Sequence, residues 1–394
     1  MLNASSMLTL LEKLQSQNLT IHQNRCAVVR NRHAQCTRCV DACTTGCLSI
    51  HEGEISITPE KCIGCGTCAT MCPTCAIEAH KPSDAEIYEE SMTATEAAEG
   101  EAIIACEQIL AAAQGLYDPQ KVTSVKCLGR VDESLIAMLV CNDATRVTLV
   151  KAKCEECSYA TGLHTAEAVC ETANTLLETW NSPVRARVAS KFPSAARLVG
   201  ESEYDASKRE FFTSIKDEVK SAAVITVDQT AHDVLGEEDV EPPKYVKVGE
   251  DGTLPHSIPG RRKRLLTALK AMGEPQDIMI GTRLWGHVVI ETDKCTSCQM
   301  CATFCPTGAL KKFEKKDGTF GVDHYPSLCV KCRTCTDICP PDALWISEEV
   351  FAVDLQNNAH ERYVMKPRER ELNDPHKMWH TMRDLLGCDQ IFER

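Results

Sequence analysis

Two stretches in the carboxy-terminal third of the chain, CTSCQMCATFCPTGAL from Cys295 and CVKCRTCTDICPPDAL from Cys329, share the pattern C-x2-C-x2-C-x3-C-P. The tight loop brings three sulfurs to one side of a single centre, and soft thiolates suit iron. In doubled runs of this kind the fourth cysteine serves the neighbouring 4Fe-4S cube rather than its own. The spacing therefore assigns Cys295, Cys298, Cys301 and Cys339 to one cube, and Cys329, Cys332, Cys335 and Cys305 to the next. A zinc ribbon would need only two cysteine pairs, fewer than this pattern supplies.

A second pair of runs lies near the amino terminus, and only its latter half, Cys62, Cys65, Cys68 and Cys72 followed by Pro73, is regular. In the first half, the position three before Cys36 holds His33, and Thr44 stands where the proline should be. The apolar residue beyond each fourth cysteine sets the register: Leu310, Leu344 and Ile77 stand five residues after Cys305, Cys339 and Cys72. The same step from Cys43 reaches Leu48, whereas from Cys47 it reaches Glu52. Cys43 is then the crossing ligand, with Cys36 and Cys39 as second and third. The first ligand is either Cys26, across a nine-residue loop, or His33 in the regular position; a site with three cysteines is the remaining choice. Histidine ligates iron in Rieske centres, but thiolate is the usual cube ligand, which favours Cys26. The expected sets are Cys26, Cys36, Cys39 and Cys72, and Cys62, Cys65, Cys68 and Cys43. Cys47 and Cys75 are left as small packing residues beside a cube.

The chain has 394 residues, 25 of them cysteine, enough length for two or three domains with cores of their own. No charged-then-apolar leader opens it, so a reducing cytoplasm is expected, where dense cysteine reads as metal ligation rather than disulfides. A net charge of −13 repels phosphate backbones and counts against nucleic acid. The longest apolar runs, such as SLIAMLV (134–140), are too short to span a membrane. No dinucleotide-binding glycine motif or phosphate-binding loop is present.

Between the cysteine-rich segments, EAIIAC, KVTSVKCLGRV, DESLIAMLVCND, RVTLVKAKC and TAEAVCETANTLLETW alternate strand and helix patterns, which predicts a small α/β domain with a parallel sheet over 100–200. Cys106, Cys127 and Cys154 fall at or near the ends of predicted strands, with Cys157 just beyond. Parallel strand ends share one edge, where sites are built. Cys141 and Cys170 lie within helical patterns and read as core. Arg130 either supplies a donor near that edge or caps its loop.

The remaining segments are an amino-terminal helix over 1–20 with Met7, Leu8, Leu11 and Leu14 on one face, an extended connector with helices over 201–284, and a charged tail over 351–394 that covers a surface or wraps a partner. The basic cluster Arg261, Arg262, Lys263 and Arg264 reads as a solvated helix start, or else as a docking patch for an acidic partner.

Both cysteine-rich segments, 21–85 and 285–350, resemble bacterial-type ferredoxin modules with two 4Fe-4S cubes each. That resemblance implies a βαββαβ fold with pseudo-two-fold symmetry and electron transfer as the activity. KCLGRVDESLI and KCEECSYATG resemble the iron–sulfur delta subunit of methyl-viologen-reducing hydrogenase, a family that passes electrons from a hydrogenase to heterodisulfide reductase. This implies a 2Fe-2S cluster on Cys106, Cys127, Cys154 and Cys157. The family begins with a paired-cysteine stretch where IIACEQ offers one cysteine, so a metal-free docking domain and a structural zinc site stay open.

The fold expected is thus two α+β ferredoxin-like dicluster modules and a small α/β parallel-sheet domain, joined by extended linkers. The function expected is cytoplasmic electron transfer within a larger complex, with flavin, molybdenum or nickel–iron oxidoreductase subunits as partners. Two other roles fit the same residues: a reductase acting on a small disulfide or sulfur compound at the middle domain, and a scaffold that delivers clusters.

Overall fold

The computed structural model describes residues 18–51, 53–198, 246–367 and 392–393. The expected amino-terminal helix falls outside them except for its last residues, and Leu19 and Thr20 belong to a strand instead. A helix expected from KREFFTSIKDEVKSAAV also falls outside the described residues.

Short strands with alternating burial build the first module. Strand β1 (Leu19–Ile21) pairs antiparallel with β4 (Ile77–Ala79), and Leu19, Ile21 and Ile77 face inward. A hairpin of β2 (Leu48–His51) and β3 (Glu54–Ile57) sets Leu48 opposite Ile57 on the buried face, while Ser49 and Ser56 bond to each other outside. Three helices of about one turn complete it: α1 (Ala27–Arg30), α2 (Arg38–Asp41) and α3 (Thr67–Met71). Apart from α1, which occupies the loop inserted into the irregular run, the order is β-α-β-β-α-β.

Helix α4 (Asp84–Ala97) begins on a capping box, in which Ser83 Oγ accepts from Glu86 N–H and the Glu86 carboxylate accepts from Ser83 N–H. It packs on the middle domain. That domain is a parallel sheet in the order β6-β5-β7-β8, from β5 (Glu101–Cys106), β6 (Thr123–Val125), β7 (Arg146–Val150) and β8 (Ala186–Ala189). Every residue of β5 is buried, as expected of a central strand covered on both faces. Helices α5 (Glu107–Ala112), α6 (Glu133–Cys141) and α7 (Thr161–Thr179) complete it. Cys170 lies in its core and Cys141 ends α6.

The described part of the connector is packed against its neighbours. Beyond β9 (Val246–Lys247), residues 248–259 run along the second module, where Leu254 N–H donates to Thr303 O at 3.1 Å and Ser257 N–H to Pro306 O at 2.8 Å. Helix α8 (Gly260–Ala271) then packs on α6, placing Leu265, Ala268 and Leu269 in one core with Ala137, Met138, Trp180 and Trp285.

The solvated helix start expected at Arg261–Arg264 is overturned, because three of its four cations are covered and paired. Arg261 donates to Ala69 O in module 1 and lies 3.6 Å from Asp132. Arg264 pairs with Asp84. Arg262 stacks 4.2 Å over Trp285 and donates to Leu284 O and, at 3.2 Å, to Cys329 O. Lys263 alone is exposed. A buried guanidinium must find acceptors, and acids and carbonyls from all three units supply them.

The second module repeats the β-α-β-β-α-β order with β11 (His287–Ile290), α9 (Met300–Thr303), β12 (Leu310–Glu314), β13 (Phe320–His324), α10 (Thr334–Asp337) and β14 (Leu344–Ser347). A further pair, β10 (Met279–Gly281) with β15 (Glu349–Phe351), flanks it. After α11 (Ala352–Gln356) the chain returns as β16 (Glu361–Val364) and adds a third strand to the β12–β13 hairpin. The described tail therefore covers this module's own surface. Strand β17 (Phe392–Glu393) pairs in parallel with β9.

Candidate metal centres

All described cysteines are free thiols. In module 2 the pattern folds each C-x2-C-x2-C loop into a turn that leads to one helical turn. Ser297 and Gln299, like Lys331 and Arg333, take left-handed backbone angles between the cysteines, so the chain coils tightly round one point. Cys301 lies in the electrostatic field of Cys298, Cys295 and Cys339, and Cys335 in that of Cys332, Cys329 and Cys305. Burial, and then the neighbouring sulfurs, push the thiols of Cys301 and Cys335 well up, and burial takes Cys332 to about 12. Buried thiols of this kind ionise only against a cation, the condition a metal supplies. Amides already point at the sulfurs: Ser297 N–H donates to Cys295 Sγ at 3.3 Å and Ala343 N–H to Cys339 Sγ at 3.4 Å.

Module 1 gathers its thiols in the same way. Cys39 faces Cys72, Cys26 and Cys36. Cys68 faces Cys65, Cys43 and Cys62, with Cys39 of the other set also near. Cys26 sits at the start of α1, buried among these thiols, with the amides of Val29 and Val28 turned to its sulfur; burial still pushes it up to about 12. His33 is exposed, and its backbone N–H donates to Asn31 Oδ1 at 2.9 Å.

The three-residue step after each crossing cysteine is left-handed in all four repeats, at Gly46, Cys75, Gly308 and Asp342. Counted from Cys43, Gly46 holds that same step. Cys47 then occupies the place of Ala76, Ala309 and Ala343, four after the crossing cysteine. Its sulfur is 3.4 Å from Cys43 Sγ and also bonds to Cys62. Its hydrogen bond with Cys43 holds that thiol below the usual range. The sequence signal for it was the break in the small-residue position. Cys75 is buried beside Arg261.

In the middle domain Cys106 closes β5, while Cys127, Cys154 and Cys157 lie on the loops after β6 and β7, and all four line one cavity with Lys126, Lys151 and Tyr159. Cys127 faces Cys106 and Cys157, and Cys154 faces the same two. Tyr159 N–H donates to Cys157 Sγ at 3.3 Å. Four convergent thiols and an amide donor fit a thiolate-held metal centre. Among the described residues no three His, Cys, Asp or Glu side chains close around a single ion position. Arg130 is buried, donating to Pro82 O and to Asp84 at 2.5 Å.

Sequence spacing did not reveal how the units meet. Arg30, 1% exposed, donates from module 1 to Phe304 O and Cys305 O, both at 3.2 Å. Arg38 donates to Lys331 O at 3.0 Å. Arg283 forms a bidentate pair with Glu133 at 2.6 and 2.8 Å. No helix among the described residues is long and apolar enough to cross a membrane.

Comparison with family models finds a 4Fe-4S dicluster domain twice, over 32–86 and 288–343. Between them, residues 102–200 match the methyl-viologen-reducing hydrogenase delta subunit. The first match begins after Cys26, so that cysteine stands outside the family pattern. A search of curated proteins returned no match.

Proposed function

We propose that this chain, in which two 4Fe-4S dicluster domains flank a hydrogenase delta-subunit domain, is an electron-transfer subunit that relays single electrons between partner oxidoreductases of anaerobic metabolism. One observation carries the reading: four groups of thiols gathered by repeated loops with left-handed steps, and a fifth at the ends of parallel strands, lie in units that contact one another directly. The residues proposed to hold four cubes are the sixteen cysteines named from spacing, with Cys106, Cys127, Cys154 and Cys157 holding a 2Fe-2S cluster. When bound, such clusters change charge by one without breaking bonds. The chain supplies buried sulfur, amide donors and exclusion of water, which together set potential. The proposed setting is a cytoplasmic complex with flavin, molybdenum or nickel–iron subunits.

Anaerobic purification followed by iron analysis and low-temperature electron paramagnetic resonance tests this. About eighteen irons per chain and several one-electron signals are expected, sixteen from cubes and two from the middle domain. Zinc with little iron would overturn it. Turnover of a disulfide by the isolated, fully loaded chain would favour a reductase instead, and capture of a redox enzyme under exclusion of oxygen would name the partner.

A further inference from the structure

Two seams decide how the five thiol groups are connected. The first joins the middle domain to the Cys62–Cys68 loop of module 1. A Cβ on Gly66 would fall 2.2 Å from Arg130 Cδ, one on Gly129 would fall 2.5 Å from Thr67 Oγ1, and one on Gly162 would lie 3.6 Å from Thr67 Oγ1. The two cysteine loops thus approach more closely than any side chain would permit. Cys127 and Cys65 stand in each other's field, and Tyr159 faces both. Thr161 Oγ1 donates to Ala42 O at 3.0 Å, next to Cys43, and Thr70 Oγ1 to Arg130 O at 3.2 Å.

The second seam joins the two modules at different cysteines. Gln35 N–H, preceding Cys36, donates to Asp337 Oδ2 at 2.8 Å, and Asp337 lies between Cys335 and Cys339. Arg38 bonds to Lys331 O, between Cys329 and Cys332, and Arg30 to Cys305 O. Cys36 itself lies in the field of Asp337. Within the modules, Cys68 faces Cys39 and Cys335 faces Cys301.

We propose that these contacts arrange the thiol groups in one unbranched line. It runs from the middle-domain cysteines to the Cys43, Cys62, Cys65 and Cys68 group, then to Cys26, Cys36, Cys39 and Cys72. It crosses between modules to Cys305, Cys329, Cys332 and Cys335, and ends at Cys295, Cys298, Cys301 and Cys339. This order rests on the electron-transfer function proposed for the chain. At each step one electron leaves one centre, which is oxidised, and enters the next, which is reduced; no proton moves and no bond breaks. The line takes electrons from a one-electron donor at one end and passes them to a one-electron acceptor at the other.

The test uses the full chain, loaded and then fully reduced with dithionite, and reads spin coupling between neighbouring centres by electron paramagnetic resonance. Each cysteine variant should lose one centre's iron and no more. Cys36→Ser should sharpen the signals of two remaining cubes, Cys298→Ser those of one, and Cys127→Ser those of one different cube. Should Cys36→Ser fail to fold, Arg30→Gln combined with Arg38→Gln and Asp337→Ala removes the side-chain bonds named across the inter-module seam with all ligands kept, and should weaken coupling between two cubes alone. Loss of one centre alone in Cys298→Ser with two cubes sharpened, or a fully loaded seam variant with every coupling unchanged, would overturn the order while leaving the relay intact. A chain that takes up no iron would instead sink the functional reading beneath it.

Discussion

Gln35 and Asp337, 302 positions apart, are joined by a backbone amide donating to a carboxylate at 2.8 Å. Both flank cysteines of their own modules, so the bond fixes one cysteine loop against the other. No pattern within either module announces it.

Cys26 and His33 compete for one ligand position in the sequence, and their surroundings differ in the fold: the first is buried with three thiols, the second exposed. Cys26→Ser should remove about four irons and one paramagnetic signal, whereas His33→Ala should remove neither. The reverse outcome would transfer the ligand role to the histidine.

Cys47 Sγ lies 3.4 Å from Cys43 Sγ, and against a metal-bound Cys43 thiolate only Cys47 has a hydrogen to donate. Hydrogen bonds to ligand sulfur withdraw electron density and raise potential. Cys47→Ala should therefore leave the iron count unchanged and move one cube's midpoint to a more negative value in a redox titration. Loss of a whole cube would make Cys47 a ligand.

Asp84 meets Arg130, Arg261 and Arg264; burial alone would raise its carboxyl, but the three cations hold it well below the usual range. Its contribution to stability is full above about pH 4 and is lost as pH falls through the lower folded-state value. Asp84→Asn leaves Arg130 and Arg264 without their carboxylate, while Arg261 keeps Asp132, and should cost about 3 kcal/mol in denaturant unfolding at neutral pH. A change within error would mean that the carbonyl acceptors suffice.

His324 is fully buried and bridges two strands, with Val288 N–H donating to Nε2 at 2.9 Å and Nδ1–H donating to Ala309 O at 3.2 Å. Burial, then the nearby His287, lowers it to about 3. Below about pH 6.5 the unfolded chain takes up a proton that the folded chain refuses, so folding weakens as pH falls towards 3. Between pH 6.5 and 5 the wild type should lose about 2 kcal/mol more than His324→Gln, since His287 and its partner Glu361 remain in both. Equal losses would show the ring protonating in place.

Gly162 carries an ordinary backbone angle, yet a Cβ there would fall 2.1 Å from Cys127 Sγ and 3.6 Å from Thr67 Oγ1 of module 1. Gly162→Ala should destabilise by roughly 1–3 kcal/mol through overpacking and disturb the middle-domain absorption. An unchanged spectrum would place slack in that seam.

The legible parts of this fold are those in which spacing is the structure. Leu48, Ile77, Leu310 and Leu344 each stand five residues beyond a cysteine, and all four open a strand, β2, β4, β12 and β14. The continuous apolar run of β5 likewise predicts the covered parallel sheet. Arg261–Arg264 misleads for the opposite reason. Four consecutive cations look solvated until Asp84, 180 residues before Arg264, supplies the counter-charge. Sequence separation hides pairing, and both inter-unit seams are built from pairs of that sort.

Because Arg30 anchors one module in the other's backbone, any electron crossing between them is an event within a single molecule. Two separate carriers must meet by diffusion, and dilution slows them. Here the crossing rate would be first order, indifferent to protein concentration and to solvent viscosity.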